Sequence, residues 1–232
     1  MLEHRNPKAE IARMREAITL DFVSDVVCPW CAIGLCGLLE AIQRVDGEID
    51  VELRIKPFEL NADMPAEGED LVEHLQRKYG SSAEDIASNH KRIRDFGEEV
   101  GFHFDLHKRQ RIYNTFDAHR LLHWAAEQGR DLALKQALLH AYFGEGRNIS
   151  DSEELLDLAT SVGLDPVRTR EILDSDAYAS EVIEEEEFFT SHGIRAVPAV
   201  IINGRQLISG AQSADYYEKA LRQVAEKSEP VP

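Results

Sequence analysis

Cys28-Pro29-Trp30-Cys31 follows a strand-like run, Ile18-Thr19-Leu20-Asp21-Phe22-Val23, and opens a segment that reads as a helix from about Pro29 to Arg44. A C-x-x-C at the end of a strand and the start of a helix is the placement of a redox pair. Cys28 stands where unpaired backbone N–H groups and the positive helix end favour a thiolate. Pro29 suits the first helical position, where its missing N–H has no partner to lose. Trp30 adds no charge, so the helix end must do most of the work. Cys28 is expected to be the exposed, attacking sulfur and Cys31 the more buried, resolving one. The competing reading, half of a zinc site, needs two further soft ligands. Only Cys36 remains, the nine histidines are scattered, and no metal is expected.

Working outward, Asp46-Gly47 makes a turn and Ile49-Asp50-Val51-Glu52-Leu53-Arg54-Ile55 alternates apolar and polar residues, the mark of a strand with one solvated face. The crossover is long enough for the two strands to run parallel. From Asn61 to about His192 the pattern turns helical. Expected helices cover Leu71 to Tyr79, Ser82 to Val100, Asn114 or Thr115 to Glu127, and Asp131 to Phe143. Ser150-Asp151-Ser152-Glu153 has capping-box spacing, Asp165-Pro166 opens another helix, and a last one runs from about Asp176 to His192. Strands then return: Val197-Pro198-Ala199-Val200-Ile201-Ile202 and Arg205-Gln206-Leu207-Ile208-Ser209 flank Asn203-Gly204, a two-residue hairpin signal. Ser213 to Ala225 reads as a closing amphipathic helix.

Strand–helix–strand, a long helical stretch, then hairpin–helix resembles a thioredoxin fold interrupted in its middle. The chain resembles the DsbA superfamily, and within it the cytoplasmic FrnE-like branch. The residues carrying the resemblance are Asp25-Val26-Val27-Cys28-Pro29-Trp30-Cys31, Asn114-Thr115-Phe116-Asp117-Ala118-His119-Arg120-Leu121, Gly193-Ile194-Arg195-Ala196-Val197-Pro198 and Ile208-Ser209-Gly210-Ala211-Gln212. One departure is Arg195-Ala196, where family members often have glycine before Val-Pro. The resemblance implies an α/β chain, a thioredoxin fold with a large all-helical insertion between the second and third strands. Its expected parts are an arm (1–16), the first part of the thioredoxin domain (17–62), the insertion (63–193), the second part (194–227) and a tail (228–232). It also implies a cis proline at Pro198 facing the cysteines, with the Val197 backbone pairing to an extended substrate like an added strand. Trp30, Asn114, Phe116 and His119 would line the substrate groove.

The expected activity is thiol–disulfide exchange through a mixed disulfide, on polypeptides or small thiols, with no cofactor beyond glutathione as a co-substrate. Two rivals stand beside it. One is an enzyme similar to kappa-class glutathione transferases and 2-hydroxychromene-2-carboxylate isomerases, which usually carry serine where Cys28 stands and lack the second cysteine. The other is a partner-binding module with a vestigial pair.

Composition narrows the partners. The 232 residues carry a formal charge of −17, which argues against nucleic acid and anionic membranes and favours solubility. No run reaches the length of a membrane span, and Met1 to Ala17 does not read as a secretory signal, so the cytoplasm is the expected compartment. A homodimer is an arrangement the sequence leaves open. Among the remaining residues, Cys36 reads as a core cysteine, with a regulatory third thiol as the alternative. Its Cα lies about 8–9 Å from that of Cys31 on a regular helix, too far for a disulfide. Asp25 reads as a turn or cap residue, with proton acceptor for Cys31 as the alternative. His119 and His123 share a helix face, and Glu184 to Glu187 reads as a solvated helix face.

Overall fold

The computed structural model describes residues 17–65 and 67–228. The expected arm (1–16) and all of the expected tail but Ser228 lie outside them.

A four-stranded sheet in the order β2-β1-β5-β6 is the centre of the fold. Strand β1 (Ile18–Ser24) runs parallel to β2 (Val51–Pro57), from Ile18 opposite Val51 to Ser24 opposite Pro57. On its other side β1 pairs antiparallel with β5 (Ala199–Ile202), which turns back into β6 (Gln206–Ser209). The side-chain period of two places Leu20 and Phe22 on one face, in the main core with Leu35, Leu38, Val200, Ile208 and Tyr217. It sends Val23 to the opposite face, where Phe58, Phe189, Ile194 and Ala199 cover it. On the edge strand β2, exposed Glu52 and Arg54 alternate with half-buried apolar residues and pair with each other at 2.9 Å.

Helix α1 (Pro29–Arg44) crosses from β1 to β2 and packs beside the closing helix α9 (Ala214–Ser228). Ahead of α9 the chain also closes on Gly34 of α1, where a Cβ would come 3.0 Å from the Pro198 ring and 3.3 Å from the Ala211 backbone. Between β2 and β5 the chain builds the insertion: α2 (Leu71–Tyr79), α3 (Ala83–Glu99), α4 (Phe116–Glu127), α5 (Asp131–His140), α6 (Ser152–Ser161), α7 (Pro166–Leu173) and α8 (Ala179–Ser191). This is the expected thioredoxin fold interrupted between the second and third strands of its sheet. The insertion also holds a two-residue ribbon, β3 (Glu69–Asp70) with β4 (Arg111–Ile112), too short to leave a periodic signal. Its apolar residues, among them Leu121, Trp124, Leu134, Leu138 and Phe143, join the sheet's core without a break.

Local chemistry accounts for most boundaries and for the small departures. Ser82 and Asp85 form the reciprocal capping box at the head of α3, and Asp165 caps α7 ahead of Pro166. The expected box at Ser150 is instead a single Asp151 cap, whose carboxylate accepts from the N–H groups of Glu153 and Glu154. Helix α5 ends at His140 and passes into a π-helical turn, Ala141–Glu145. Helix α8 begins at Ala179 rather than near Asp176, because Tyr178 takes a left-handed conformation (φ 63°). Asn203 and Gly204 both adopt positive φ, 50° and 64°, but three residues rather than two separate the paired Ile202 and Gln206. The reason lies across the sheet: Asn203 Oδ1 accepts from the N–H of Thr19 at 2.8 Å, drawing the turn toward β1.

Candidate functional site

Cys28 closes the loop after β1 and is the N-cap residue of α1, with extended backbone (φ −92°, ψ 114°) and Pro29 in the first turn. Its carbonyl accepts from the N–H groups of Cys31 and Ala32, at 3.1 and 3.4 Å, so the helix begins on it. Its thiol donates to the carbonyl of Val197 at 3.6 Å. The Val197–Pro198 peptide bond is cis, as the resemblance implies.

The two thiols are unbridged and pushed in opposite directions. A hydrogen bond from Cys31 holds the Cys28 thiol below its ordinary pKa, against burial and the Asp25 charge, with the Cys31 and Trp30 N–H groups assisting. Burial and the Cys28 neighbour push Cys31 well above the ordinary thiol range. One sulfur is prepared to lose its proton and the other to keep it. Both are enclosed, however: Cys28 is 4% exposed and Cys31 0%. The expected order of exposure holds, but an open Cys28 does not, because the Val197 carbonyl, at the entry to the neighbouring strand β5, lies against it.

Asp25 corrects its reading as a simple turn residue. It does accept from the Val27 N–H, at 3.5 Å, but its carboxylate is fully buried. It also accepts from the N–H of Leu60 at 2.8 Å and lies 3.4 Å from His119 Nε2. Burial alone would raise its pKa. The His119 hydrogen bond and charge, the Leu60 N–H and the Lys135 charge together hold it below the usual carboxylate range. Burial in turn holds the His119 imidazole below its ordinary value, against the pull of Asp25. His119 thus stands behind the cysteine loop. Its expected companion on the same face, His123, pairs with Glu185 at 3.7 Å.

Trp30 is half-buried beneath α3. Phe96 meets it edge-on at 5.6 Å between ring centroids, and the exposed Arg92 lies over its indole. Tyr79, at the end of α2, has its phenol pKa raised by burial and by the Cys28 charge. Asn114 and Phe116 serve a structural need first: the Asn114 amide donates to the carbonyl of Met64 at 3.0 Å and accepts from the Phe116 N–H at 2.9 Å, capping α4 in place of Thr115. Cys36 is half-buried rather than a full core residue, and burial raises its pKa.

The acidic run of α8 is not simply a solvated face. Glu185 pairs with Lys56 and His123. Glu186 is half-buried, and burial pushes it up to about 7, helped by the Asp25 charge. Burial pushes Glu59 up to about 8, with the charges of Glu186 and Asp25 adding. Two further residues escaped the sequence reading. Arg92 carried no motif. Lys135 had a signal: it shares a face of α5 with Leu138 and Leu139, three and four positions on, and that face is the buried one. No group of three or more His, Cys, Asp or Glu side chains among the described residues is arranged to hold a metal ion.

A sheet with this insertion, and a cysteine pair at the head of α1, can be matched over nearly the whole chain: residues 19–222 fit the DSBA-like thioredoxin domain. The chain belongs to that family. Its relatives include the uncharacterized protein YwbO of Bacillus subtilis, 29% identical over 199 residues, covering 85% of this chain and 92% of the relative. Among solved structures, a probable DsbA oxidoreductase from Streptomyces coelicolor is 31% identical, with a TM-score of 0.85 and 93% of each chain covered. The cytosolic disulfide reductase DsbM of Pseudomonas aeruginosa, solved with glutathione, shares the fold at 17% identity and a TM-score of 0.64, over 90% of this chain and 99% of that one. No helix among the described residues of this DSBA-like chain is long and apolar enough to cross a membrane.

Proposed function

We propose that the chain is a thiol–disulfide oxidoreductase of the FrnE-like, cytoplasmic branch, working through Cys28 and Cys31. The observation that carries this reading is the opposite displacement of the two thiols, Cys28 down and Cys31 up, at the head of one helix. In the reducing direction the Cys28 thiolate attacks a substrate disulfide, one substrate sulfur leaves as thiolate, and a mixed disulfide forms. Cys31 then loses its proton and attacks the Cys28 sulfur. The second substrate sulfur leaves, and the Cys28–Cys31 disulfide remains. The oxidising direction is the reverse.

Val197 and Pro198 serve as the docking edge. Val197 precedes β5 and lies outside its ladder, with its carbonyl already against Cys28, so an extended substrate segment would place its sulfur there by displacing that contact. Trp30, with Arg92 above it, forms the other wall. In a chain of net charge −17, an exposed cation held on the ring beside Cys28 supports glutathione, a small anionic thiol, as co-substrate. The intact cysteine pair sets this reading apart from glutathione transferase or isomerase chemistry.

Insulin reduction tests it. With a thiol reductant present, the chain should accelerate precipitation of the insulin B chain, and prior alkylation of the chain should abolish the effect. Equal rates before and after alkylation would remove the proposal and favour a binding module. Glutathione addition to an electrophile that survives loss of Cys31 would favour the transferase-like rival.

A further inference from the structure

A cavity of about 270 Å³ lies between α2 and the loop that leaves β2, with Leu60, Asp63, Met64, His74 and Lys78 in its wall. That is close to the small end of ligand pockets, ~300 Å³, and leaves room for one small molecule. Its loop side is already fixed. The Leu60 N–H donates to Asp25 at 2.8 Å, the Met64 N–H to the Asn61 carbonyl at 2.9 Å, and the Met64 carbonyl accepts from Asn114 at 3.0 Å. Three polar groups of the wall lack the partner their chemistry calls for. The first is His74, 3% exposed, on the buried face of α2 with Leu71. Its Nδ1 lies 2.8 Å from Glu69 Oε2. Hydrogen bonds from His74 and Arg77 hold the Glu69 carboxyl below its usual range. An ionised carboxylate only accepts, so the ring proton sits on Nδ1, a closer contact than the Arg77 guanidinium at 3.5 Å. Nε2 is buried and has no hydrogen-bond partner among the described residues. The second is Lys78, whose Nζ donates to two neutral oxygens, the Leu60 carbonyl at 2.6 Å and Asn61 Oδ1 at 2.7 Å. The third is the Asp63 carboxylate. Among the described residues neither Lys78 nor Asp63 forms an ion pair, with each other or with anything else. The remaining charges of the wall, Arg77 and Glu69, pair together.

We propose that this cavity binds a free α-amino acid with a short apolar side chain. Its ammonium would face Asp63 and donate to His74 Nε2, its carboxylate would face Lys78, and its side chain would lie on Leu60 and Met64. The wall itself selects this class. A buried acceptor left unpaired is unfavourable, and Nε2 of a neutral ring calls for a donor. Asp63 beside it calls for a donor that is also a cation. An ammonium alone would leave Lys78 unmatched, and a carboxylate alone would leave Asp63 and Nε2 unmatched. A zwitterion satisfies all three. A residue inside a peptide has lost both charges to its amide bonds, so the occupant is the free amino acid and not a chain segment. The site borders the cysteine loop through Leu60, which holds Asp25, yet it asks for no thiol in its ligand. The inference therefore goes beyond the redox reading of Cys28 and Cys31 and does not rest on it.

The test is titration calorimetry of the full chain with three probes: L-valine, valinamide, which lacks the carboxylate, and isovalerate, which lacks the ammonium. L-valine should bind at one site, and each of the other two about tenfold more weakly, the scale of one lost charged hydrogen bond. Asp63→Asn should weaken L-valine about tenfold and leave isovalerate unchanged. Lys78→Gln should weaken L-valine to the same degree and leave valinamide unchanged. Both positions are exposed, so the variants should melt with the wild type. NMR of isotope-labelled histidine reads the buried ring in the wild-type chain without any substitution: the His74 Nε2 signal should move with L-valine and stay with isovalerate. No heat and no His74 shift at millimolar L-valine would overturn the proposal, and so would equal affinities for the three probes. None of the probes carries a thiol. Failure here leaves the redox reading standing, and failed insulin reduction leaves this one standing.

Discussion

The guanidinium of Arg92 lies over the indole of Trp30, 5.3 Å from the ring centroid. Ring and guanidinium attract each other, which holds the exposed Arg92 charge on the side chain two residues from Cys28. Arg92→Ala should raise the KM for glutathione roughly fivefold, corresponding to about 1 kcal/mol for an exposed charge, with kcat little changed. The KM for an uncharged thiol should not move, and the difference should shrink in high salt. Equal effects on charged and neutral thiols would refute an anion-binding role.

The three cysteines should separate by reactivity. In the folded, reduced chain at neutral pH, a small alkylating reagent should modify Cys28 first, because its pKa is lowered, and Cys31 and Cys36 slowly, because burial raises theirs. Cys28→Ser should reduce turnover to background. Cys31→Ala should accumulate mixed disulfides with substrate, read by mass under non-reducing conditions. Near-normal turnover in Cys28→Ser would sink the mechanism.

Glu59 and Glu186 should make stability depend on pH. Burial raises them to about 8 and about 7. Between the ordinary carboxylate pKa and these values the folded chain keeps protons that the unfolded chain has released, so stability falls as pH rises through that window. Both side chains are half-buried, and solvent screening reduces the effect to about 1 kcal/mol. Glu59→Gln should therefore raise Tm by about 2–4 °C above the window and by nothing measurable below it. The same gain at both ends, in thermal melts, would show that ionisation is not the cause.

Gly97 seats the helix that carries Arg92 and Phe96. A Cβ there would come 2.4 Å from the Phe104 ring and 2.6 Å from the Phe102 carbonyl. Gly97→Ala should cost about 1–3 kcal/mol through overpacking, and each kcal/mol should lower Tm by about 2–4 °C. Displacing α3 should also uncover Trp30. Of the two tryptophans, Trp124 lies in the core, 5% exposed, so the rise in acrylamide quenching should come from Trp30. A chain that melts lower with unchanged quenching would show that α3 does not set the Trp30 environment.

Much of this architecture could be read along the chain because its signals are local. The alternation of Val51 to Ile55, proline at the head of α1, the Ser82–Asp85 box and Asn203-Gly204 each act within a few residues. The resemblance added what local signals do not carry, that distant strands share one sheet. What was not legible depends on residues far apart in sequence. Asp25 looks like a turn residue until His119, 94 positions on, meets it. Glu185 and Glu186 look solvated until Lys56 and Glu59 are placed beside them. Cys28 was expected to be open because helix ends usually are, and what closes it comes from the far side of the insertion. Lys135 shows the converse: its helix face gave a local signal, but its charge masked it.

The carbonyl that covers Cys28 is 169 residues further along the chain. A ribosome adding about 5–20 residues per second would need roughly 8–34 s to reach Val197 after finishing Cys28. For that interval the nascent chain presents both thiols with neither the covering carbonyl nor the burial that later sets their acidity. Protection from stray oxidation at birth must then come from the reducing surroundings of synthesis, and the chain supplies its own shield only when the second half of the sheet is made.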